Sequence, residues 1–219
     1  MPTVLLSLSG GADSATMLAR YLHQGHTAET VFFNYGSKQN PWELRAAQAI
    51  AAHYGVRLRE YDLRGAFTES SSVMMAADTR AIPQSGYDKT TMSQTVVPGR
   101  NAIFATVLAG IAESRGIGLV ALGMHGGDHY LYPDCRPAFA ASLATTITLS
   151  TEGAVNVEAP FIAMSKADII ALGLRLGVPY ALTRSCYTAG EIACGVCGTC
   201  TERLAAFRAN GTEDPAPYT

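Results

Sequence analysis

Val4–Ser14, VLLSLSGGADS, is the stretch that decides the fold. Val4-Leu5-Leu6 and Leu8 make a short apolar run of the kind that forms a strand buried on both faces. The run breaks at Ser9-Gly10-Gly11-Ala12-Asp13-Ser14 and passes directly into Ala15-Thr16-Met17-Leu18-Ala19, a helix start. The physics of such a junction favours an anion. Two glycines let the backbone turn and approach a ligand closely. The N–H groups of the first helical turn and the helix dipole then face negative charge. Ser9 and Ser14 add hydroxyl donors. Asp13 sits beside a phosphate only with a cation between them, which implies Mg²⁺. The spacing is neither G-x-x-x-x-G-K-[ST] nor G-x-G-x-x-G.

Outward from this loop the pattern repeats. A helix is expected from Asp13 to Gln24, a strand over Glu29–Tyr35, a helix from Pro41 to His53 and a strand over Val56–Tyr61. This order implies a parallel sheet with right-handed crossovers. Leu63–Val97 breaks the rhythm and reads as a flap over the site, with any helix in it short. A long apolar helix over Asn101–Ser114, a strand over Leu119–Met124, a helix over Arg136–Leu149 and a strand over Val155–Ala159 follow. A helix capped by Ser165 and reaching Leu176, and a last helix over Thr201–Asn210, complete the chain. The fold class is therefore α/β: a Rossmann-like, doubly wound, parallel five-stranded sheet with a C-terminal four-cysteine appendage. The division expected is a domain built on the anion-binding loop over 1–185, a metal-binding subdomain over 186–210 and a loosely ordered tail over 211–219.

The bulk numbers narrow the function. A chain of 219 residues with 48% hydrophobic content buries one proper core. A net charge of −2 argues against a large nucleic-acid surface, so no direct nucleic-acid binding is expected. No apolar run approaches the ~18 residues of a membrane span. The N-terminal segment is itself a core strand with no basic leader, so a cytoplasmic location is expected. Five cysteines, four of them crowded into Cys186–Cys200, make a poor disulfide framework and a good metal cluster.

In a parallel sheet the site lies at the carboxyl ends of the strands, where the unusual loops of this chain converge. Lys38 follows the second strand and is a candidate phosphate contact. Arg100, fixed by Pro98-Gly99, can clamp a triphosphate or a carboxylate bidentately, and Asn101 can cap the next helix. Lys166 stands in the first turn of a helix, against the dipole, which suggests an anionic ligand nearby. In His125–Arg136, Asp128 and Asp134 can pair with the N–H donors of a guanine-like edge, and Tyr132 can stack on a flat base. Cys135 reads as a thiol lining the site rather than a nucleophile, and a second metal at His125 and His129 is the weaker reading of this loop. Cys186-x₇-Cys194-x₂-Cys197-x₂-Cys200 offers four thiolates for tetrahedral, structural Zn²⁺, with Gly190, Gly195 and Gly198 permitting the turns. Spacing alone also admits an iron–sulfur cluster.

Ser9-Gly10-Gly11-x-Asp13-Ser14 after the first strand resembles the PP-loop of ATP pyrophosphatases, which cleave ATP between the α and β phosphates and adenylate a substrate oxygen. With Val97-Pro98-Gly99-Arg100-Asn101, Tyr132-Pro133-Asp134-Cys135-Arg136, Ser165-Lys166 and the four cysteines, the chain resembles the 7-cyano-7-deazaguanine synthases of the queuosine pathway, essentially end to end. The resemblance implies an ATP-dependent ligase acting on 7-carboxy-7-deazaguanine and ammonia, with Mg²⁺, structural Zn²⁺ and a homodimer. It implies ATP binding by Leu8, Ser9, Gly10, Gly11, Asp13 and Ser14. Substrate binding falls to Arg100, Asn101, Asp128, Tyr132, Asp134 and Arg136. Catalytic contacts fall to Asp13, Ser14, Lys38, Arg100 and Lys166, and zinc to Cys186, Cys194, Cys197 and Cys200. Two departures bear on the acceptor: Gln39 stands where the family often has His, and His129-Tyr130-Leu131 where it usually has Tyr-Ser-Gly. The alternative is an enzyme of the same kind that stops at the amide, or passes the activated base to another amine, a protein's included. A PP-loop tRNA modifier and a non-catalytic nucleotide sensor are the other readings.

Overall fold

Thr3–Ser7 is β1, the middle strand of the molecule. Val4 and Leu6 bury on one face of the sheet and Leu5 on the other, all fully, which is why this run shows no polar alternation. The structure is a computed structural model and describes residues 1–84, 92–128 and 132–219. Helix α1 (Ala12–His23) follows, then β2 (Thr27–Asn34), α2 (Asn40–Tyr54) and β3 (Arg57–Asp62). After the irregular segment come α3 (Arg100–Ser114), β4 (Leu119–Ala121), α4 (Pro137–Ser150), β5 (Asn156–Glu158), α5 (Lys166–Arg175) and α6 (Gly198–Ala209). The five strands lie in the order β3-β2-β1-β4-β5, and every pair is parallel. Register runs Thr3↔Thr27 to Ser7↔Val31 on one side of β1 and Val4↔Leu119 to Leu6↔Ala121 on the other. The order reverses at β1, so the crevice at its carboxyl end is the topological switch point.

Helices cover both faces. α3 and α4 pack Phe104, Leu108, Leu143 and Ile147 against Leu5, Phe33 and Val120. On the opposite face α1, α2, α5 and α6 enclose Leu6, Leu8, Phe32 and Ala121. Strands four and five are three residues each, shorter than the apolar runs suggest. Leu122 and Met124 are buried, yet they belong to a loop that leaves the sheet beneath the crevice.

Two irregular stretches are firmly packed. The described part of 63–97 forms a wall against the core. A 3₁₀ turn spans Arg64–Phe67, and Val73, Met74, Met75 and Val97 are buried in the core. Lys38 N–H donates to the Met74 carbonyl at 2.8 Å and Ala76 N–H to Gly36 at 2.8 Å, which fastens the segment to the end of β2. Residues 85–91 of that expected flap lie outside the described residues. The 211–219 tail is also fastened. The Asp214 carboxylate, fully buried, pairs with Arg203 at 2.7 Å and accepts from the Tyr218 hydroxyl, and Thr219 N–H donates to Ala193. A buried carboxylate needs a cation and donors, and Arg203, itself 1% exposed, meets that need.

Candidate active site

The phosphate loop is built from its own serines. Ser9 and Ser14 hydroxyls lie 3.1 Å apart, Ser9 N–H donates to Ser14 Oγ at 3.2 Å, and Ser14 Oγ donates to the Gly11 carbonyl at 3.1 Å. Gly11 is the N-cap residue of α1, so the first turn of that helix faces the crevice. Gly10 has φ +84°, and a Cβ there would run into the Glu43 carbonyl and stand 2.9 Å from Ala47 N. The start of α2 therefore rests on the loop's bare backbone, and only glycine fits between them. On the other side Arg184 N–H donates to the Gly10 carbonyl at 2.8 Å.

Around this loop is a cavity of about 200 Å³. Ser9, Gly11, Asp13, Ser14, Arg100, Asn101 and Lys166 line it, drawn from β1, α1, α3 and α5. Lys166 Nζ donates to both oxygens of Asp13, at 2.8 and 2.6 Å. The anion that a lysine at the start of α5 faces is thus Asp13, across 153 residues of sequence. Ser165 and Asp168 form a capping box that fixes the helix start and with it the lysine. Burial works to raise the Asp13 pKa, but the charges of Lys166 and His125 outweigh it and hold the carboxyl below its ordinary value. His125 Nε2 lies 3.7 Å from Asp13 Oδ2. Arg100 is the first residue of α3, its guanidinium 5.8 Å from the centre of the Tyr35 ring. Burial opposes its charge, yet Tyr35, Tyr187 and Asp134 raise its pKa, so it is a permanent cation in the cavity wall.

Several expected contacts lie elsewhere. Leu8 and Gly10 shape the loop from behind; Leu8 is fully buried and its N–H donates to Val31. Lys38 is not among the residues lining this cavity; its ammonium donates to the Arg80 carbonyl at 2.6 Å. Tyr132 is 7% exposed, and its hydroxyl lies 2.8 Å from that of Thr95, so its ring is a core element. Asp134 Oδ2 accepts the Asn101 N–H at 3.1 Å, satisfying an orphan donor at the start of α3. Asn101 in turn donates to the Asp134 carbonyl at 3.2 Å. Arg136 is exposed at the N-cap of α4 and does not line the cavity. Asp128 closes a 3₁₀ turn, Gly126–Asp128; its side chain and His129 lie outside the described residues. Cys135 is buried and lines the cavity, as a site-lining thiol should.

The cavity also holds groups that motif reading passes over. Glu43, Arg184, Tyr187 and Glu202 all line it. Pro41-Trp42-Glu43 reads as an ordinary first helical turn, and nothing local says that this turn abuts Gly10. Arg184 is hidden in an irregular stretch. There its guanidinium donates to the carbonyls of Thr188 at 2.7 Å and Glu191 at 3.2 Å, both within the cysteine loop.

Cys186, Cys194, Cys197 and Cys200 present their sulfurs within 4.8 Å of one another, with Cys186 and Cys194 Sγ 3.6 Å apart. Tetrahedral zinc with Zn–S of about 2.3 Å needs sulfurs at this spacing. Cys194 and Cys197 N–H groups donate to Cys186 and Cys194 sulfurs at 3.4 Å, a second shell that favours thiolates. The thiols of Cys197 and Cys200 hold Cys186 far below the usual range, while the neighbouring sulfurs push Cys200 up. The four become thiolates together only around a cation, and the donor set suits zinc.

Comparison with known proteins agrees with this geometry. The family model described as "Queuosine biosynthesis protein QueC" matches residues 3–211. A 7-cyano-7-deazaguanine synthase of Marinobacter nauticus is 39% identical over 99% of this chain and 97% of its own length. That of Desulfotalea psychrophila is 42% identical over 93% of each chain. That of Porphyromonas gingivalis is 40% identical over 98% of this chain and 96% of its own. Among solved structures, NMN synthetase from Francisella tularensis superposes with a TM-score of 0.54 over 96% of this chain and 77% of that one. A predicted subunit of tRNA methyltransferase from Methanocaldococcus jannaschii gives 0.50 over 80% and 74%. At 14% identity both share the fold alone. Matched along nearly its whole length, this chain belongs to the QueC family of queuosine biosynthesis proteins.

Proposed function

We propose that this chain is an ATP-dependent ligase that converts 7-carboxy-7-deazaguanine and ammonia to 7-cyano-7-deazaguanine by way of the amide. A carboxylate oxygen of the substrate attacks the α-phosphorus of ATP, the α–β bond breaks and pyrophosphate leaves. Ammonia displaces AMP from the acyl carbon. A second adenylation, on the amide oxygen, lets AMP leave again as the nitrile forms. The observation that carries this reading is the meeting of the serine-glycine loop, Lys166 and Arg100 in one cavity at the switch point of the sheet.

The chemistry asks for position and charge more than for an enzyme nucleophile. The first turn of α1 and the loop hydroxyls would receive the phosphates. Arg100 is placed for the substrate carboxylate, and Lys166 for the negative charge that develops at phosphorus. Asp13 is the one carboxylate of the loop, which suits Mg²⁺ arriving on ATP; that ion is usually held by one or two carboxylates plus substrate phosphates. Held there, the ion would supply positive charge for the leaving pyrophosphate. Cys186, Cys194, Cys197 and Cys200 would hold zinc, which would supply structural cross-linking of the loop that carries Arg184 rather than catalysis.

The protein acts as a homodimer in this reading. α3 carries no charge between Arg100 and Glu113, and α4 carries none at all, though much of its surface is exposed. Among the described residues no helix is long and apolar enough to cross a membrane. A cytoplasmic site of action fits five cysteines that form no disulfide. The test is mass spectrometry of products from purified protein, ATP, Mg²⁺, ammonium and 7-carboxy-7-deazaguanine. The nitrile, with pyrophosphate and AMP, is the expected product. No ATP-dependent conversion of the carboxylate would sink the reading.

A further inference from the structure

Four nitrogen-bound protons leave between ammonium and nitrile, and neither phosphate binding nor the Arg100 cation supplies an acceptor for the two whose loss gates the bond-making steps. Ammonia reaches a neutral solution as ammonium, which is no nucleophile until it is deprotonated. The amide nitrogen must later lose its last proton as the nitrile forms. The cavity must therefore offer a base. Asp13 is a poor one, because both its oxygens accept from Lys166 and its affinity for a proton is lowered.

Glu43 stands in a different setting. It is in the first turn of α2, half-buried, on the wall of the cavity, and its own backbone rests against Gly10 of the phosphate loop. Arg100 faces it from α3, Arg184 from the stretch before the cysteines, Tyr35 from the end of β2 and Gln39 from its own helix. Asp13, Lys166, His125 and Glu202 line the same cavity. Among the described residues no cation closes a salt bridge on Glu43.

We infer that Glu43 is the general base of the amine steps, a catalytic residue that touches the nitrogen. The inference rests on the ligase reading above. In the first use, the Glu43 carboxylate takes one proton from ammonium. The freed NH₃ forms the C–N bond with the acyl-adenylate as the C–O bond to AMP breaks, the bonding pair leaving with AMP. The surplus proton on nitrogen passes to water. Glu43 returns its first proton to water. As the amide oxygen bonds to the α-phosphorus of a second ATP and pyrophosphate leaves, one N–H proton passes to water. In the second use Glu43 takes the remaining N–H proton of the O-adenylated imidate as C≡N forms and the C–O bond breaks, its bonding pair leaving with AMP. Its proton affinity suits the task. Burial is the largest influence and pushes the carboxyl up to about 7, against the pull of Arg100, Gln39 and Arg184. A base poised near the working pH is the efficient one.

The test separates adenylation from amination in Glu43→Gln and Glu43→Asp. Exchange of labelled pyrophosphate into ATP, with 7-carboxy-7-deazaguanine and no ammonium, reads the first half alone. Glu43→Gln should keep exchange within about threefold and lose about 10²- to 10⁴-fold in amide formation. At saturating ammonium the wild-type amination rate should rise with pH and level off above about 7. That of Glu43→Gln should keep climbing with free NH₃, so that alkaline pH rescues it. Glu43→Asp should recover part of the rate and restore the plateau, which a structural role would not do. Equal losses in exchange and amination, or amination unchanged in Glu43→Gln, would overturn the assignment. Absence of exchange in the wild type would instead overturn the ligase reading beneath it.

Discussion

At Asp13 and Glu43 the cavity places two carboxyls of opposite character, and their pH behaviour must differ in sign. Asp13 has a folded pKa below its unfolded value. Its contribution to stability is present above the ordinary carboxylate range and is lost as pH falls through the lowered value. Asp13→Asn removes the charge without the shape and leaves the Lys166 ammonium, 10% exposed, without its anion. Pyrophosphate release should fall by about 10²-fold or more. Unfolding in urea at pH 7 should show a loss of about 2–4 kcal/mol that narrows in acid. Wild-type pyrophosphate release in this variant would remove Asp13 from the chemistry. Glu43 is raised from its ordinary value to about 7. Its favourable contribution is complete below the unfolded pKa and is lost as pH rises toward 7, so at pH 8 its burial costs stability. Glu43→Gln should therefore melt higher than wild type at pH 8, by about 1 kcal/mol, and lose that advantage near pH 5. A lower melting temperature at pH 8 would mean that the carboxylate is structurally satisfied. A half-buried carboxylate with no salt bridge, held against stability, is the usual mark of a functional group.

Elements, more than single residues, explain what the sequence could and could not disclose. β1, α1 and α2 are legible because periodicity, glycine and the Pro41 start are local signals. Leu119–Met124 misleads because a loop buried beneath a crevice is as apolar as a strand; only pairing ends β4 at Ala121. The four cysteines carry their own geometry in their spacing, so their assembly was legible. The partners of Lys38, Tyr132 and Asp134 were not: each has a side chain suited to a ligand, and each meets a distant residue that no local pattern announces. Glu43 was missed for the complementary reason, since its meeting with Gly10 is tertiary. That contact is testable. Gly10→Ala asks for φ +84° from an L residue and drives a methyl into the start of α2. It should cost about 2–4 kcal/mol in thermal unfolding and weaken ATP binding at least tenfold in calorimetry. Full affinity would show that the start of α2 yields freely. The cysteine loop makes a parallel case. Arg184 is bonded to Thr188 and Glu191 and, through its own N–H, to Gly10. Cys197→Ser should lose about one zinc per chain by atomic absorption, and with it several kcal/mol of stability and ATP affinity. A zinc-free variant with wild-type affinity would separate the cluster from the phosphate loop.

For the whole molecule, the parallel order of strands made the doubly wound sheet and its switch point legible, because βαβ crossovers admit one hand. What the order of elements could not say is which outer surface is free. The two helices on the face opposite α1 answer part of that. α3 exposes Thr106 and Gly110, and α4 exposes Ala141, Ser142, Thr145, Thr146 and Leu149, the last 76% exposed. The helices are in contact, and their exposed residues between Arg100 and Glu113 and over Pro137–Ser150 are uncharged. Small and hydroxyl side chains would allow two such faces to approach closely, and in the proposed homodimer a twofold axis across them would pair each helix with its own copy. An isologous contact doubles the effect of any one substitution. Thr145→Glu places two like charges near the axis, and Leu149→Glu removes an anchor from each side while adding two charges. Light scattering coupled to size exclusion should give a dimer for the wild type and a monomer for either variant. The equilibrium should be weakened by about 10²-fold or more, or about 3 kcal/mol. Circular dichroism should stay unchanged, since both positions are exposed. The cavity lies at the carboxyl edge of the sheet, so each monomer should still exchange pyrophosphate into ATP. A wild type that runs as a monomer at micromolar concentration would remove the homodimer. A dimer that survives both charges would move its interface off α3 and α4.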